Sequence, residues 1–405
     1  MPDPRDALIT GIGILSCLGE GVDAHWQALN TSEFQPKLDG ETFAPYTVHP
    51  MVKLELDKQI PKRGDQRTME PWQRIGTYAA GLALESAGIK GNADLLDKTD
   101  MIVAAGGGER DYAVDAAILS DLPKADNPGA LLNERLMSDL RPTLFLAQLS
   151  NLLAGNISVV HGVVGASRTF MGEEASGVDA VRIACARIAD GTSDLVLVGG
   201  SYNAERPDGL LQYEMGRLLW KQPYAGIAER QATGGQATGD QAAGGGMLLG
   251  SVGCFLVIES RAHAAARGAA AMARIAGIQS DRCNRAPGAA TANAQRQFAA
   301  LGVGHDLSHA AIISGASGAG AATAEEFSFL QTLHLPVRSP ANALGHSLEP
   351  SFPANLALAA IAVAQGRLFA PLEAAEAAST AALTHAVVTA WGHWRGEGMA
   401  LLTTA

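Results

Sequence analysis

The fold of this chain is decided by residues 165–202, GASRTFMGEEASGVDAVRIACARIADGTSDLVLVGGSY. A strand-like run over residues 167–171 ends at Gly172, and a continuously apolar run over residues 194–198 ends at Gly199. Between them lies a helical pattern with one apolar face at spacings of i, i+3, i+4 and i+7, formed by Val181, Ala184, Cys185 and Ile188. A strand, a helix and a buried strand in this length predict a right-handed crossover in an α/β fold with covering helix layers.

Composition and charge narrow the class of protein. The chain has 405 residues, of which 41 are acidic and 30 are Lys or Arg, and the net charge of −11 argues against nucleic acid as its main partner. The N-terminus lacks a signal-peptide pattern and no apolar run reaches membrane-spanning length, so we expect a cytoplasmic protein without a membrane span. The four cysteines are scattered, and the glycines at residues 106–108 lack the flanking motif of a phosphate-binding loop. We therefore expect no metal and no cofactor.

The chain carries a weak internal symmetry. Two pairs of apolar, glycine-closed segments echo each other: residues 102–109 and 311–318, and residues 194–200 and 386–392. The echoes predict two similar halves, residues 1–250 and 251–405, each with one mixed sheet and helices on its faces. The Gly/Gln/Ala-rich stretch 221–246 contains few apolar residues and is expected to be a flexible surface loop within the first half.

Segment 165–202 resembles the corresponding segment of the β-ketoacyl-ACP synthase II family of condensing enzymes. In that family Thr-Ala-Cys-x-x-Gly opens a buried helix after a strand, and the next strand ends in Gly-Gly. The spacing of Gly165, Gly177 and Gly199 gives the register here, and it places Glu174 at the position of the nucleophilic cysteine. The resemblance covers essentially the full length and implies a duplicated thiolase-like fold, with two mixed five-stranded sheets in an α-β-α-β-α layered sandwich.

The second half differs from the family at most of its catalytic positions. By resemblance, Ser314 stands at the position of the first catalytic histidine, and Glu325 matches the acid farther along that motif. His346 retains the second histidine, whereas Ala341 replaces the lysine that precedes it. The family's substrate gate is a phenylalanine in a C-terminal Gly-Phe-Gly turn; by resemblance, His393 stands at the phenylalanine and Gly392 at the glycine before it.

Glu174 is expected to be a buried carboxylate without a nucleophilic role. The helix dipole and the free N–H groups of a helix start would stabilise its charge, but a carboxylate cannot form the acyl thioester that condensation requires. We expect Glu174 to accept hydrogen bonds from backbone N–H groups there, with His346 or Ser314 close enough to share one. Two other interpretations remain open: ordinary first-turn acids at Glu173 and Glu174, or a catalytic triad of Ser317, His346 and Glu174.

The resemblance also implies partners. Lys62, Arg63 and Arg67 lie in a basic, largely helical stretch whose counterpart in the family receives the acidic helix of acyl carrier protein. The alternative interpretation of this stretch is a solvated helix face. The family is dimeric, so we expect a homodimer or a heterodimer with an active synthase, in which residues 194–198 pair across the two-fold axis.

The leading hypothesis is a β-ketoacyl-ACP synthase II-like protein of fatty acid biosynthesis that acts as a non-condensing, chain-length-factor-like dimer partner on acyl-ACP. The alternative is an active 3-oxoacyl-ACP synthase or a malonyl-ACP decarboxylase with a rebuilt site, so whether the chain is itself an enzyme stays open. Three segments, QIPKRGDQR, IVAAGGGERD and RTFMGEE, look like the divergent homologue associated with very-long-chain fatty acids of lipid A in rhizobia and their relatives.

Overall fold

The computed structural model describes residues 2–31, 34–233, 244–284, 286–302 and 307–405. In these ranges the chain forms thirteen strands: β1 Ala7–Ser16, β2 Gly19–Glu20, β3 Val48–His49, β4 Asp100–Ala104, β5 Ser167–Phe170, β6 Leu195–Tyr202, β7 Leu249–Gly250, β8 Val252–Ser260, β9 Ala273–Asp281, β10 Ala310–Ile313, β11 Val337–Arg338, β12 His385–Trp391 and β13 Glu397–Thr403. Strands β3 and β7 form a small parallel ladder, and the other strands form one large sheet.

Sixteen helices occur in the same ranges: α1 Gly21–Leu29, α2 Arg63–Thr68, α3 Pro71–Ser86, α4 Ala93–Leu96, α5 Tyr112–Asp121, α6 Pro128–Asp139, α7 Leu144–Ala147, α8 Leu152–His161, α9 Glu174–Ala189, α10 Pro207–Met215, α11 Ile227–Ala232, α12 Arg261–Arg267, α13 Ala289–Ala300, α14 Gly320–Gln331, α15 Ala341–Leu344 and α16 Ser351–Ala364. The basic stretch expected to be largely helical contains α2 and leads into α3. They are separate because Pro71 and a Glu70–Gln73 capping box start a new helix. None of the helices in the described ranges combines the length and the apolar character needed to cross a bilayer.

The large sheet consists of two runs of five strands with the same connectivity. The first run has the order β5-β4-β6-β8-β1, and the second has the order β11-β10-β12-β13-β9. In each run the first two neighbouring pairs are parallel and the last two are antiparallel. Strand β4 therefore corresponds to β10 and β6 to β12, as the internal symmetry of the sequence predicted.

The two runs meet where β1 pairs with β9, so the two expected five-stranded sheets are continuous at this edge. The contact is short, because Ala7, Leu8 and Ile9 alone of β1 are paired with β9. Strand β8 belongs to the first run, although a boundary after residue 250 would place it in the second half. We therefore propose that the halves divide between β8 and β9.

The helices α9 and α16 lie between the two halves of the sheet and form the central layer. Alternating residues of β6 show how the layers are built: Val196 and Val198 face the central core, whereas Leu195 and Leu197 pack with α3 and α8 on the outer side. On the far side, α13 and α14 cover the second run through a separate cluster that includes Trp391. This is the α-β-α-β-α order predicted for the chain.

The expected pairing of residues 194–198 across a two-fold axis is wrong. Strand β6 is bonded to β4 on one edge and to β8 on the other, so it has no edge left for a second chain. In the first half, the strand at the end of the sheet is β5, and its first two residues, Ser167 and Arg168, are exposed.

The expected flexible loop 221–246 is ordered in its first part. Helix α11 lies within it, and Ile227 and Arg230 of that helix are buried. The Arg230 guanidinium donates to the carbonyl of Ala225 at 2.7 Å, and this bond joins the helix to the residues just before it. Residues 234–243, the most Gly- and Gln-rich part, lie outside the described residues.

Gly199 lies where β6 packs closely against β8, and a substitution there tests this packing. A Cβ atom at Gly199 would lie 2.0 Å from the carbonyl oxygen of Cys254 and 2.6 Å from the Cα of Phe255, both on β8. We expect Gly199→Ala to lower the free energy of unfolding by about 3 kcal/mol or more, because the backbone must move to admit the methyl group. Urea unfolding monitored by circular dichroism measures the change.

Gly64→Ala is the matched control for this variant. A Cβ at Gly64 would meet nothing within 4 Å, and the residue lies in α2, so the substitution should be neutral or stabilise by up to about 1 kcal/mol. Equal unfolding midpoints for the two variants would contradict the described packing of β6 on β8.

Candidate active site

The candidate site lies where β5 turns into the buried helix α9. Gly172 has φ of 135°, and Glu173 has φ of 56°, a left-handed conformation that costs a non-glycine residue on the order of 1–3 kcal/mol. The Ser176 backbone N–H and hydroxyl both donate to the Glu173 carbonyl, at 3.1 and 2.7 Å, and they hold the turn. The turn leaves Glu174 as the first residue of the helix, in the interior of the protein.

Glu174 is held by two histidines from the second half of the chain. Its Oε1 atom is 2.8 Å from Nε2 of His346 and 2.8 Å from Nδ1 of His393, and it also accepts the backbone N–H of His393 at 3.3 Å. Glu174 is 3% exposed and His346 is 2% exposed. The contact expected between Glu174 and His346 is therefore present. Within the described chain, however, the backbone N–H that reaches this carboxylate comes from His393 and not from the start of α9.

The carboxylate is ionised in this environment. Burial by itself raises the pKa of Glu174, but the charge of His393 and the hydrogen bonds from both histidines outweigh it, so the pKa lies well below its usual range. An ionised carboxylate with two imidazole partners has no means of forming a thioester. The cluster offers instead a fixed negative charge and two nitrogen donors.

A short turn positions His393. The Gly392 N–H donates to the carbonyl of Gly396 at 2.9 Å, and a Cβ at Gly392 would lie 2.3 Å from the carbonyl oxygen of Arg395. Gly396, with φ of 92°, packs against Ala175 at the start of α9. The imidazole of His393 also meets the Tyr213 ring edge-on, with 5.6 Å between centroids. The position expected to be a gate thus supplies a side chain that is locked onto Glu174.

Ser314 belongs to a different network. Its hydroxyl donates to Oε1 of Glu326 at 2.9 Å, and the same oxygen accepts the Thr389 hydroxyl at 2.6 Å and the Gly315 N–H at 3.2 Å. Ser314, the alternative to His346 as the expected partner of Glu174, bonds Glu326 instead. Glu326, not the expected Glu325, is the acid of this motif.

Glu325 points to a separate partner, because its Oε1 accepts the backbone N–H and the hydroxyl of Thr291, each at 3.0 Å. The alternative triad is not assembled either. His346 bonds Glu174 as the triad requires, but no hydrogen bond joins Ser317 to His346 in the described structure, and the Ser317 hydroxyl oxygen instead accepts the Ala319 N–H at 3.1 Å.

A cavity of about 480 Å³ opens beside the turn that carries Glu173. Its lining is rich in polar and charged groups, including Glu173, Asn203, Arg206, Glu349 and Arg395. Burial raises the pKa of Glu349 to about 7, and the negative charges of Glu174 and Glu173 add to the effect. The indole N–H of Trp72, which also lines the cavity, is buried without a hydrogen-bond partner in the described structure. The cavity therefore offers charge and hydrogen bonding more than apolar surface.

The basic residues of the expected carrier-protein surface lie on and just before α2. Lys62, Arg63 and Arg67 are all exposed, and none of them has a side-chain hydrogen bond or ion pair in the described structure. Arg74, the other cation of this region, is used internally: its Nε donates to the Gln66 carbonyl at 2.8 Å and ties α2 to α3.

The sequence identified Glu174 and His346 but did not predict what surrounds them. It did not predict that the gate residue His393 binds the same oxygen, nor that Glu326 and Glu349 are buried carboxyls. The sequence contained one signal that Glu326, which directly follows Glu325 in the same helix, faces the core. The buried residues Thr323, Phe329 and Leu330 fall on its side of that helix.

Residues 5–251 match the family model for the N-terminal domain of β-ketoacyl synthases. The 3-oxoacyl-[acyl-carrier-protein] synthase 2 of Vibrio cholerae serotype O1 is 25% identical over 282 residues, which are 68% of this chain and 62% of that protein. A putative β-ketoacyl synthase 1 of oxytetracycline polyketide synthesis from Streptomyces rimosus is 27% identical over 70% of this chain and 64% of its own length. The matched region thus spans less than two thirds of each of these relatives.

Solved structures share the whole fold. The ishigamide ketosynthase/chain length factor superposes with a TM-score of 0.77 at 18% identity, and a β-ketoacyl synthase from Burkholderia phymatum with 0.74 at 16%; each comparison covers 99% of both chains. A type II polyketide acyl carrier protein in complex with its ketosynthase matches with a TM-score of 0.69 at 17% identity, again over 99% of both chains. At these identities the likeness establishes the fold, which is thiolase-like.

Glu326 gives the stability of the protein a pH dependence. Burial raises the pKa of Glu326 to about 7 from an ordinary 4.5, so the folded chain keeps this proton at a pH where the unfolded chain has lost it. The free energy of unfolding should therefore fall as the pH rises from about 4.5 to about 7. Glu326→Gln, which is neutral throughout, should remove about 3 kcal/mol of this fall. Urea unfolding at a series of pH values measures it.

The free energy of unfolding of Glu326→Gln should still fall in part over this pH range, because burial also raises the pKa values of Glu349 and Glu376 to about 7. Glu325→Gln is the control, since Glu325 is only half-buried and bonds Thr291. The assignment of Glu326 is overturned if its variant and the control follow the wild-type profile equally well.

Proposed function

Since the chain belongs to the β-ketoacyl synthase family, we propose that it is a non-condensing member of that family that pairs with an active synthase and acts on acyl groups carried by acyl carrier protein. The observation that carries the proposal is Glu174. A carboxylate stands at the position of the family's nucleophile, and it is buried and bonded by both neighbouring histidines. Its role resembles that of a chain-length factor.

Three features of the site support the absence of condensation. First, Glu174 cannot be acylated to a thioester. Second, the ring nitrogens of His346 and His393 that face the site are engaged by Glu174, so they are not available to a substrate carbonyl. Third, Ser314 is held by Glu326 and cannot carry a positive charge. Loss of a single oxyanion donor already costs an enzyme about 100- to 1,000-fold in rate, and here the nucleophile is missing as well.

The polar lining of the cavity also supports a role without condensation. An alkyl chain is stabilised by apolar walls, whereas Glu173, Arg206 and Glu349 present charge or strong hydrogen-bonding groups to this cavity. Arg206 is itself paired with Asp208 and donates to the Gly108 carbonyl at 3.1 Å, so the wall is a fixed polar structure. We therefore place the growing acyl chain in the active subunit.

The edge strand β5 is the proposed dimer contact. One edge of β5 pairs with β4, and the other has no partner strand in the described chain. Large apolar side chains flank it in sequence and are exposed by 60% or more: Val159, Val164 and Met171. An exposed strand edge with apolar neighbours favours pairing with another chain.

The basic surface of Lys62, Arg63 and Arg67 is the proposed contact for acyl carrier protein. These cations are exposed and unpaired on a chain whose net charge is −11, so an acidic partner would be attracted here and repelled elsewhere. The association with very-long-chain acyl groups of lipid A stays a prediction.

Incubation with acyl-ACP and malonyl-ACP tests the catalytic part of the proposal. We expect the isolated protein to gain no acyl group and to release no 3-oxoacyl product, because residue 174 is a carboxylate. Intact-protein mass spectrometry measures acylation, and chromatography of the cleaved acyl groups measures product. A synthase with an intact cysteine and two histidines is the positive control.

A 3-oxoacyl product contradicts the non-condensing role and would favour a rebuilt synthase. Acetyl-ACP without condensation would favour a decarboxylase over a catalytically silent partner. Co-purification with proteins encoded beside it tests the partner: we expect an intact synthase in equal amount. A stable homodimer with no such partner would overturn the heterodimer.

Charge reversal tests the carrier-protein surface. The triple variant Lys62→Glu, Arg63→Glu, Arg67→Glu should bind acyl carrier protein about tenfold more weakly or worse, with the larger loss at low salt, where charges are less screened. Fluorescence anisotropy with labelled carrier protein measures the affinity.

The control is a triple reversal to Glu of exposed lysines elsewhere, Lys37, Lys98 and Lys124, which changes the net charge by the same amount. If the two triple variants lose affinity equally, the effect is one of total charge and the assigned surface is wrong.

A further inference from the structure

We propose that Glu174, His346 and His393 form a binding site for one divalent transition-metal ion of the Zn²⁺ class. Two imidazoles and one carboxylate are a common ligand set for zinc and for non-haem iron. Neither the expected site nor the proposed dimer role assigns a metal to these residues. The site would bind its ion whether or not the protein condenses acyl groups.

The donor atoms already converge. Oε1 of Glu174 is 2.8 Å from Nε2 of His346 and 2.8 Å from Nδ1 of His393, and the three atoms all lie within 4.8 Å of one another. Ligands about 2.0–2.2 Å from a zinc ion are themselves roughly 3.0–3.5 Å apart. Shifts of a few tenths of an ångström along the two short edges, and a somewhat larger approach of the two nitrogens, would admit the ion.

The three ligands are held by separate rigid elements. Glu174 is the first residue of α9, whose start is held by the Glu173 turn. The backbone of His346 is bonded on both sides: its N–H donates to the Leu248 carbonyl at 2.8 Å, and its carbonyl accepts the Gly250 N–H at 2.9 Å. The His393 ring is braced by Tyr213. Ligands fixed in this way lose little conformational entropy when an ion binds.

Glu173 supplies an outer support of the kind that metal-bound histidines use. Its Oε2 lies 3.7 Å from Nε2 of His393, which is the ring nitrogen opposite the one that faces Glu174. A carboxylate behind a ligand histidine orients the ring and makes it a stronger donor. The strained backbone of Glu173 is what places this second acid there, and neither condensation nor dimer pairing requires it.

A cavity lies next to the site. Glu173, Ala175 and Trp394, which adjoin the ligands in sequence, line the 480 Å³ cavity. Among the charged groups of that cavity, Glu173 favours a cation and Arg395 opposes it, while Arg206 is paired with Asp208 and Arg282 with Asp179. A metal ion would leave coordination positions for water or for a small anionic ligand.

The same contacts would also serve a purely hydrogen-bonded cluster, in which each imidazole gives an N–H to the carboxylate. The two states differ in one measurable respect. A hydrogen-bonded cluster has no specific affinity for a metal ion, whereas the proposed site binds one ion per chain through all three side chains.

Co²⁺ and Zn²⁺ titrations of the full-length, tag-free, chelator-treated protein test the proposal. We expect one Co²⁺ per chain with visible d–d absorption, displaced by one equivalent of Zn²⁺. Glu174→Gln and His393→Gln should each weaken binding about 100-fold or more, and Glu173→Gln by about tenfold, as outer-shell changes do. The control is His309→Gln. His309 is an exposed histidine outside the three-residue cluster, so this variant should bind the ion as the wild type does.

If Glu174→Gln or His393→Gln fails to fold, the titration of the wild-type protein alone still tests the proposal. Absence of stoichiometric Co²⁺ binding with a d–d spectrum overturns the site, as does wild-type affinity in a folded Glu174→Gln or His393→Gln variant. Glu173→Gln is a partly exposed position that should fold, and a loss confined to it and absent from Glu174→Gln would also contradict the ligand set. None of these readings depends on condensation or on dimer partners.

Discussion

The structure around the site depends on one constraint, which is that the buried negative charge of Glu174 must be compensated. A carboxylate removed from water is costly unless it is paired and hydrogen-bonded. Glu174 begins a helix of the first half, and its partners His346 and His393 both come from the second half. The charge therefore links the two halves at the point where their central helices meet.

The close approach of these helices is a matter of small residues. A Cβ at Gly177 of α9 would lie 2.4 Å from the carbonyl oxygen of Glu349, which lies two residues before α16. A Cβ at Gly398 of β13 would similarly collide with Val178. These glycines let the start of α9 sit deep enough for histidines on two separate loops to reach a single oxygen atom. The two similar halves form the fold, and the close packing between them brings the residues of the site together.

The environment of Glu174 is charged on several sides. Here Glu174 is matched by a histidine at the gate position, by a second acid in a strained turn, and by charged groups along the cavity. The site is organised around charge, in keeping with the proposed role outside condensation and with the proposed ion as its ligand.

Much of the fold could be predicted from the sequence, because apolar runs, period-3.6 apolar patterns and terminal glycines are local signals. They identified β5, α9, β6 and the two similar halves. The resemblance to the condensing enzymes implied the layer order and, through the spacing of Gly165, Gly177 and Gly199, placed Glu174 at the head of the buried helix. These features depend on neighbours in sequence, and such neighbours are visible without coordinates.

Only the tertiary structure decided the rest. His346 is 172 residues from Glu174 and His393 is 219, so no spacing rule marks the three as one cluster. The choice of Glu326 over Glu325 depends on which of two adjacent side chains of α14 faces the core. The position of β6 between β4 and β8, which rules it out as the dimer strand, is likewise a matter of sheet order. Strand order, side-chain direction and convergence of distant loops arise from packing, and a linear pattern carries no measure of them.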